Sequence, residues 1–446
     1  MTLDPSDQCI PPLRMLAWNL YLGERRSAAT VAQSARLTDI LSETEMERLA
    51  TIYLDKLHPC YGFVDRSMLR ESIVYAWHGP SLSGAQHALL CGVAALACLF
   101  SDNQNLTKEL SLVALAKHLL DPATADPPEL HSATAWLLRT VYLRLTAKPE
   151  EAWLASCTTL HIIDAAGLNG GLGRGNTFST PQDPRVVHVG RRIFGVAQHL
   201  NMWMSYDLGR CRVALQDFGG SSPSVQVGEY TTELLDLLPY SEDLDPEHGA
   251  SVGSLTAALA EVLDRTHSQP PSVLAQCNLM LCIHRRLHAS RSTVTDEIMT
   301  GVLNLIRRSI QAVRSSITAG LPWHHVANIP FQVVCTLLAI DTASSFALLA
   351  DSLACLEAVN NAYQTGATRE AVTAAYALLQ LHQKRREAEV RKQSEMLSLY
   401  PAVQYTSAEN SGDLVNGPTL LDSWWYNEFM ADFDLNITQP TPNSML

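Results

Sequence analysis

No two cysteines in this chain stand in a C-x2-C pair, although ten are scattered over its 446 residues. A binuclear zinc cluster needs paired C-x2-C-x6-C groups so that two ions can share bridging thiolates, and nothing in the sequence approaches that spacing. Cys91, Cys98, Cys277, Cys282, Cys335 and Cys355 fall instead inside apolar helical runs, the pattern of reduced core thiols in an intracellular protein. Basic charge is also short. With 32 Lys and Arg against 45 Asp and Glu the formal net charge is −13, so the chain lacks the clustered cations that grip DNA or an anionic membrane by releasing counterions. Any contact with DNA is expected to be indirect. The longest apolar run, ALLCGVAALACLF from Ala88 to Phe100, is shorter than the roughly 20 residues a membrane-spanning helix requires, and no span is expected. The first residues, MTLDPSDQ, are acidic and polar where a signal peptide would be basic and then apolar.

Catalytic and cofactor motifs are missing too. For acyl transfer the nearest approach to G-x-S-x-G is GGSSPS at 219–224, without a strand-turn-helix context. The glycines between Gly170 and Gly175 resemble a phosphate loop, but no Lys-Ser or Lys-Thr follows and no strand precedes. An all-helical enzyme handling magnesium diphosphate would need an Asp-rich helix. The best imitation, EDLDPE at 242–247, is broken by Pro246. His284 and His288 have the i, i+4 spacing of a helical zinc site, yet no Glu follows His284 and Arg285 and Arg286 would repel a cation. A solvated, half-exposed face is expected there. The sequence therefore assigns no catalytic residue, no cofactor and no metal ligand.

What is present is helix, over most of the length. With 47% hydrophobic and 17% charged residues the chain can bury a substantial core. Ser42 followed by Glu45 forms a capping box, and Met46, Leu49, Ala50, Tyr53, Leu54 and Leu57 then mark the 3.6-residue stripe of an amphipathic helix. Further helices are expected over 68–77, 83–100, 106–120, 128–145, 150–167, 185–206, 252–263, 271–290, 295–319, 329–349, 351–361 and 370–397. No strand-type alternation and no repeat of 20–50 residues is visible, so an all-α fold is expected and solenoids are not. Residues 1–36 form an N-terminal arm and residues 37–398 a helical domain, whose halves are joined by the Gly-rich loop at 169–184. Residues 218–248 lack a helical period. Residues 399–446 contain no Lys or Arg against six acidic residues, the composition of a disordered acidic tail.

Several blocks together resemble the fungal-specific transcription factor domain, the middle homology region of zinc-cluster transcription factors. They are LAWNLYLG at 16–23, YLDKLHPCYGFVD at 53–65, WLLRTVYLRLTAKPEEAWLASCTTLHIIDAAGLN at 136–169, RRIFGVAQHLNMWMSYDLGRCRV at 191–213, and the stretch from WHHVANIPFQ at 323–332 to LHQK at 381–384. The resemblance runs from about Leu13 to Lys392. It implies an all-α regulatory, effector-sensing or dimerising unit that is not catalytic, sits between a DNA-reading head and an acidic activation tail, and works in the nucleus. The zinc cluster and coiled-coil linker of that family would precede Leu13. Two readings stay open: a co-regulator that binds a DNA-reading zinc-cluster protein, as in the control of secondary-metabolite gene clusters, or a shortened zinc-cluster regulator.

Three sets of residues follow as candidates. Phe194, Trp203, Tyr206 and Trp323 would line an apolar ligand pocket in a small-molecule sensor, and core packing would use the same residues. Trp424, Trp425, Phe429 and Phe433, in the island LDSWWYNEFMADFDLNI, combine bulky aromatics with acids, as amphipathic activation segments do, or dock back on the domain. Lys384, Arg385, Arg386, Arg391 and Lys392 form either a nuclear import signal or the charged face of an exposed last helix. Expected partners are the transcription machinery or a zinc-cluster protein, with homo- or heterodimers possible and no membrane.

Overall fold

A computed structural model describes residues 36–79, 82–101, 105–120, 128–146, 149–169, 183–208, 210–215, 223, 226–242, 244 and 250–399. Among them the chain forms only helices: α1 (Leu37–Ile40), α2 (Glu43–Lys56), α3 (Arg66–His78), α4 (Gly84–Leu99), α5 (Leu106–Leu119), α6 (Leu130–Thr146), α7 (Pro149–Ala165), α8 (Pro184–Asp207), α9 (Thr231–Leu235), α10 (Leu238–Glu242), α11 (Val252–Asp264), α12 (Pro270–Ala289), α13 (Asp296–Thr318), α14 (His324–Ile340), α15 (Ala343–Tyr363) and α16 (Gly366–Leu399). The all-α class expected from the sequence is the class observed.

Helix starts follow the local chemistry. The Ser42 hydroxyl accepts the Glu45 amide at 3.3 Å and opens α2 where expected. Glu45 does not return that bond. Its carboxylate instead takes Lys108 Nζ at 2.6 Å and ties α2 to α5. Asp65 begins α3 two residues earlier than the apolar pattern predicts, because its carboxylate accepts the Ser67 and Met68 amides, each at 2.9 Å. Pro184 opens α8 with its ring already at helical φ, after Asp183 has capped the Arg185 amide at 2.9 Å.

Packing builds one continuous core. α4 is apolar on every side and is enclosed by α2, α3, α5 and α6. Its Gly92 permits the closest approach, since a Cβ there would lie 2.9 Å from Leu138 Cβ on α6. Later in the chain α12 packs against α11, α13 and α14, while α14 packs against α15 and α16. Along α13, Val302, Leu305, Ile306, Ile310 and Val313 face this core and Asn304, Arg307, Gln311 and Arg314 face water. α8 packs on α6 and α7, and α9 bridges α8 to α12.

Three features depart from the sequence expectations. The helix expected over 329–349 is two helices. Asp341 turns left-handed at φ +50° and ends α14, and the Thr342 hydroxyl then accepts the Ser345 amide at 3.2 Å to start α15. Apolar period runs through this junction and hides it, whereas the Thr-x-x-Ser cap marks it. Residues 218–248 are not wholly aperiodic, because α9 and α10 lie within them; each is a single turn, too short to show a period. His284 is buried rather than on a solvated face, because α12 is covered by α11, α13 and α14 together. Residues 1–35 of the N-terminal arm, the glycines of the loop and residues 400–446 of the acidic tail lie outside the described residues.

Candidate functional site

The four aromatics proposed for a pocket occupy two places. Phe194 and Trp203 are buried on α8, and Trp203 meets Tyr206 edge-on with ring centroids 5.9 Å apart. The Arg286 guanidinium of α12 sits over the Tyr206 ring at 6.0 Å. Trp323 lies in front of α14 and is wedged between Tyr61 and Phe100, with centroids at 5.4 and 5.3 Å. Its ring thus carries the start of α14 into the packing around α4.

On the basic run, Lys384, Arg386, Arg391 and Lys392 are exposed on α16 and Arg385 is half-buried. Arg385 Nε donates to Glu389 at 2.9 Å, and Arg386 reaches Asp341 at 3.5 Å and Glu389 at 3.7 Å. Lys384, Arg391 and Lys392 enter no ion pair among those found in the described residues. Trp424, Trp425, Phe429 and Phe433 lie outside the described residues.

Two buried polar assemblies were not anticipated. In the first, the Glu229 carboxylate is held from both sides: His58 Nε2 lies 2.7 Å from one oxygen, and the Arg192 guanidinium binds the other. All three side chains are almost fully enclosed. Arg192 also donates to the Gly62 carbonyl, the Gly62 amide donates to the Thr231 hydroxyl at 2.8 Å, and the Tyr230 amide donates to the Pro59 carbonyl at 2.9 Å. Burial first, and then the charges of Arg66 and Arg192, push the His58 imidazole down to about 4. His58 is therefore neutral at physiological pH and donates its Nε2 proton to Glu229. The network pins the turn after α2 to α8 and to the approach to α9, elements on opposite sides of residues 170–182.

The second assembly surrounds the start of α14. His324 and His325 touch with ring centroids 4.0 Å apart and ring planes tilted by 46°, and both lie within electrostatic reach of Arg144 on α6 and His199 on α8. Arg144 also acts on Tyr61, the ring that abuts Trp323. Burial pushes His199 down to about 4. Burial, followed by Arg144, holds His324 and His325 well below the ordinary imidazole value. WHH at 323–325 and the Arg144 and His199 segments all lie in the blocks that carry the family resemblance. A single sequence does not show that they converge. Among the described residues no group of three His, Cys, Asp or Glu side chains is arranged to hold a metal ion.

Comparison with known proteins agrees with this helical body. Residues 50–216 match the model of the fungal specific transcription factor domain. The chain is 38% identical to Protein RDR1 of Gibberella zeae, over 97% of its own length and 78% of that protein. The chain belongs to this family. It is also similar to Transcription factor kojR of Aspergillus oryzae, at 37% identity over 87% of this chain and 70% of that one. Protein RDR1 of Saccharomyces cerevisiae is similar at 28% identity, over 86% and 70%. As a member of the fungal transcription factor family the chain is a transcriptional regulator, and the matched segment spans α3 to α8 together with both buried polar assemblies' contributions from Gly62, Arg144, Arg192 and His199. No helix among the described residues is long and apolar enough to cross a membrane.

Proposed function

We propose that this chain regulates fungal genes from the nucleus through partner proteins, with secondary-metabolite gene clusters among its targets. The helical body is the scaffold, the acidic-aromatic segment after α16 recruits the transcription machinery, and a zinc-cluster protein supplies the contact with DNA. The observation that carries this reading is the 38% identity along 97% of the chain to a member of a transcription factor family. The net charge of −13 supports DNA contact through a partner. Six carboxylates and no cations among residues 399–446, around Trp424, Trp425, Phe429 and Phe433, support recruitment by that segment.

The test is a fusion of residues 399–446 to a heterologous DNA-binding module in front of a reporter. Expression should rise well above that of the module alone and return to its level when Trp424, Trp425, Phe429 and Phe433 are changed together to Ala. A fusion as silent as the bare module would remove the recruiting role. Pull-down from fungal nuclear extract, followed by promoter binding with and without the recovered protein, tests the zinc-cluster partner.

A further inference from the structure

We propose that the overhanging end of α16 is a docking surface for residues 421–437 of the same chain, which fold onto it as an amphipathic helix. This goes beyond the regulatory reading and does not depend on it.

α16 outruns the body it packs on. Ala375, Leu378 and His382 mark its inner face, and all three are buried. At His382 and Arg386 the helix passes the turn between α14 and α15, where Asp341 meets the two side chains at 3.2 and 3.5 Å. Beyond that turn it continues to Leu399. Every side chain from Arg386 to Ser398 is exposed except Glu389, which is half-buried. A helix of about a dozen residues without tertiary support is marginal in water, so the overhang calls for a cover. Steps of four along the inner face lead from His382 through Arg386 to Val390, and Met396 and Leu397 follow on the same side. Val390, Met396 and Leu397 are 63%, 58% and 74% exposed. Phe346 extends this apolar strip onto α15, with its ring 5.3 Å from that of His382 and its side chain 38% exposed.

Residues 421–437 fit the strip in pattern, charge and reach. Leu421, Trp425, Phe429, Phe433 and Ile437 recur at every fourth position, the spacing that lines one side of a helix, and no Gly or Pro interrupts them. The segment holds four carboxylates and no cation, whereas the run from Lys384 to Lys392 holds five cations and two carboxylates. Opposite charge favours this pairing over a second copy of the chain, which would set two net-positive runs against each other. The connecting residues, 400–420, leave from the very end of α16. As a coil they span ~25 Å, against ~20 Å along the helix from Leu399 back to Arg386. A tether matched to its span holds the segment at a millimolar effective concentration, enough to seat an individually weak contact.

The experiment is hydrogen exchange of the full chain, read by mass spectrometry. Amides of residues 387–398 should exchange about tenfold more slowly in the unaltered chain than in a variant with Trp425, Phe429 and Phe433 changed together to Ala. Val390→Gln combined with Leu397→Gln keeps good helix formers at two exposed positions, and it should speed exchange in residues 421–437 by a similar factor. Exchange in α4 should be the same in all three proteins, because neither variant touches the core. Dilution by about tenfold should leave the protection of both segments unchanged, as contact within one chain requires. Residues 387–398 equally protected in the alanine variant, residues 421–437 as fast in the unaltered chain as in the glutamine variant, or protection that fades on dilution, the mark of a second copy, would overturn the assignment. The reporter fusion of residues 399–446 does not contain this surface, so the two readings fail separately.

Discussion

Arg192 and Glu229 form an ion pair enclosed on both sides, and His58 holds the second oxygen of the same carboxylate at 2.7 Å. A buried pair of this kind contributes little beyond what an apolar contact would, but losing one member leaves a desolvated charge behind. Glu229→Gln should therefore lower the unfolding free energy by about 3–5 kcal/mol, measured in urea, because Arg192 would remain buried opposite a neutral amide. A change below about 1 kcal/mol would mean that water reaches the guanidinium.

Acid should destabilise the fold through its buried histidines. His58, His199 and His284 are all pushed down to about 4, chiefly by burial. In the unfolded chain an imidazole titrates near about 6.5. Between those values the unfolded state binds a proton that the folded state refuses. The stabilising contribution is thus complete above about pH 6.5 and is lost as the pH falls toward 4, at most about 3 kcal/mol per histidine. The urea midpoint should fall steadily between about pH 6.5 and pH 4.5. A flat profile there would show that these imidazoles are protonated without unfolding.

Local signals carried the secondary structure, and distant pairings were not legible. Ser42, Pro184 and the stripe on α13 announce their helices because a cap or an apolar period acts within a few residues. The α14–α15 junction was lost because Ala339, Ile340, Leu348 and Leu349 sustain the apolar period across it, while the break rests on the φ of Asp341 and on one hydroxyl of Thr342. The sequence makes His284 look solvated because its neighbours Arg285 and Arg286 are charged. The structure buries it and leaves those two only partly covered. Glu229 gave no warning at all: it stands in a stretch without period, and its partners are 37 residues away at Arg192 and across the fold at His58. Of the pocket aromatics, the sequence placed Phe194, Trp203 and Tyr206 correctly on one helix, but it could not show that Trp323 turns toward Tyr61 and Phe100.

Nuclear import can be separated from helix stability on α16. Arg385 and Arg386 make ion pairs, whereas Lys384, Arg391 and Lys392 point into solvent. Changing the last three together to Ala should move thermal stability by no more than about 0.5 kcal/mol, as is usual for exposed positions. The same change should reduce the nuclear fraction of a fluorescent fusion several-fold. An unaltered distribution would leave these residues as an ordinary charged helix face.

Two residues share the same left-handed backbone and should respond oppositely to glycine. Gln364 ends α15 and Asp341 ends α14, each at φ +50°. For a residue with a Cβ this conformation costs about 1–2 kcal/mol, which glycine does not incur. The Gln364 side chain makes only a long bond of 3.4 Å to the Asn361 carbonyl, so Gln364→Gly should stabilise the protein by about 1 kcal/mol. Asp341 has more to lose. Its carboxylate meets the buried His382 at 3.2 Å and Arg386 at 3.5 Å, joining the end of α14 to α16. Removing it leaves a buried imidazole without that acceptor, a penalty of about 1–3 kcal/mol that offsets or exceeds the backbone gain. Thermal melts of the two single variants should shift up for Gln364→Gly and stay level or shift down for Asp341→Gly. Equal upward shifts would show that the bridge from α14 to α16 contributes nothing to stability.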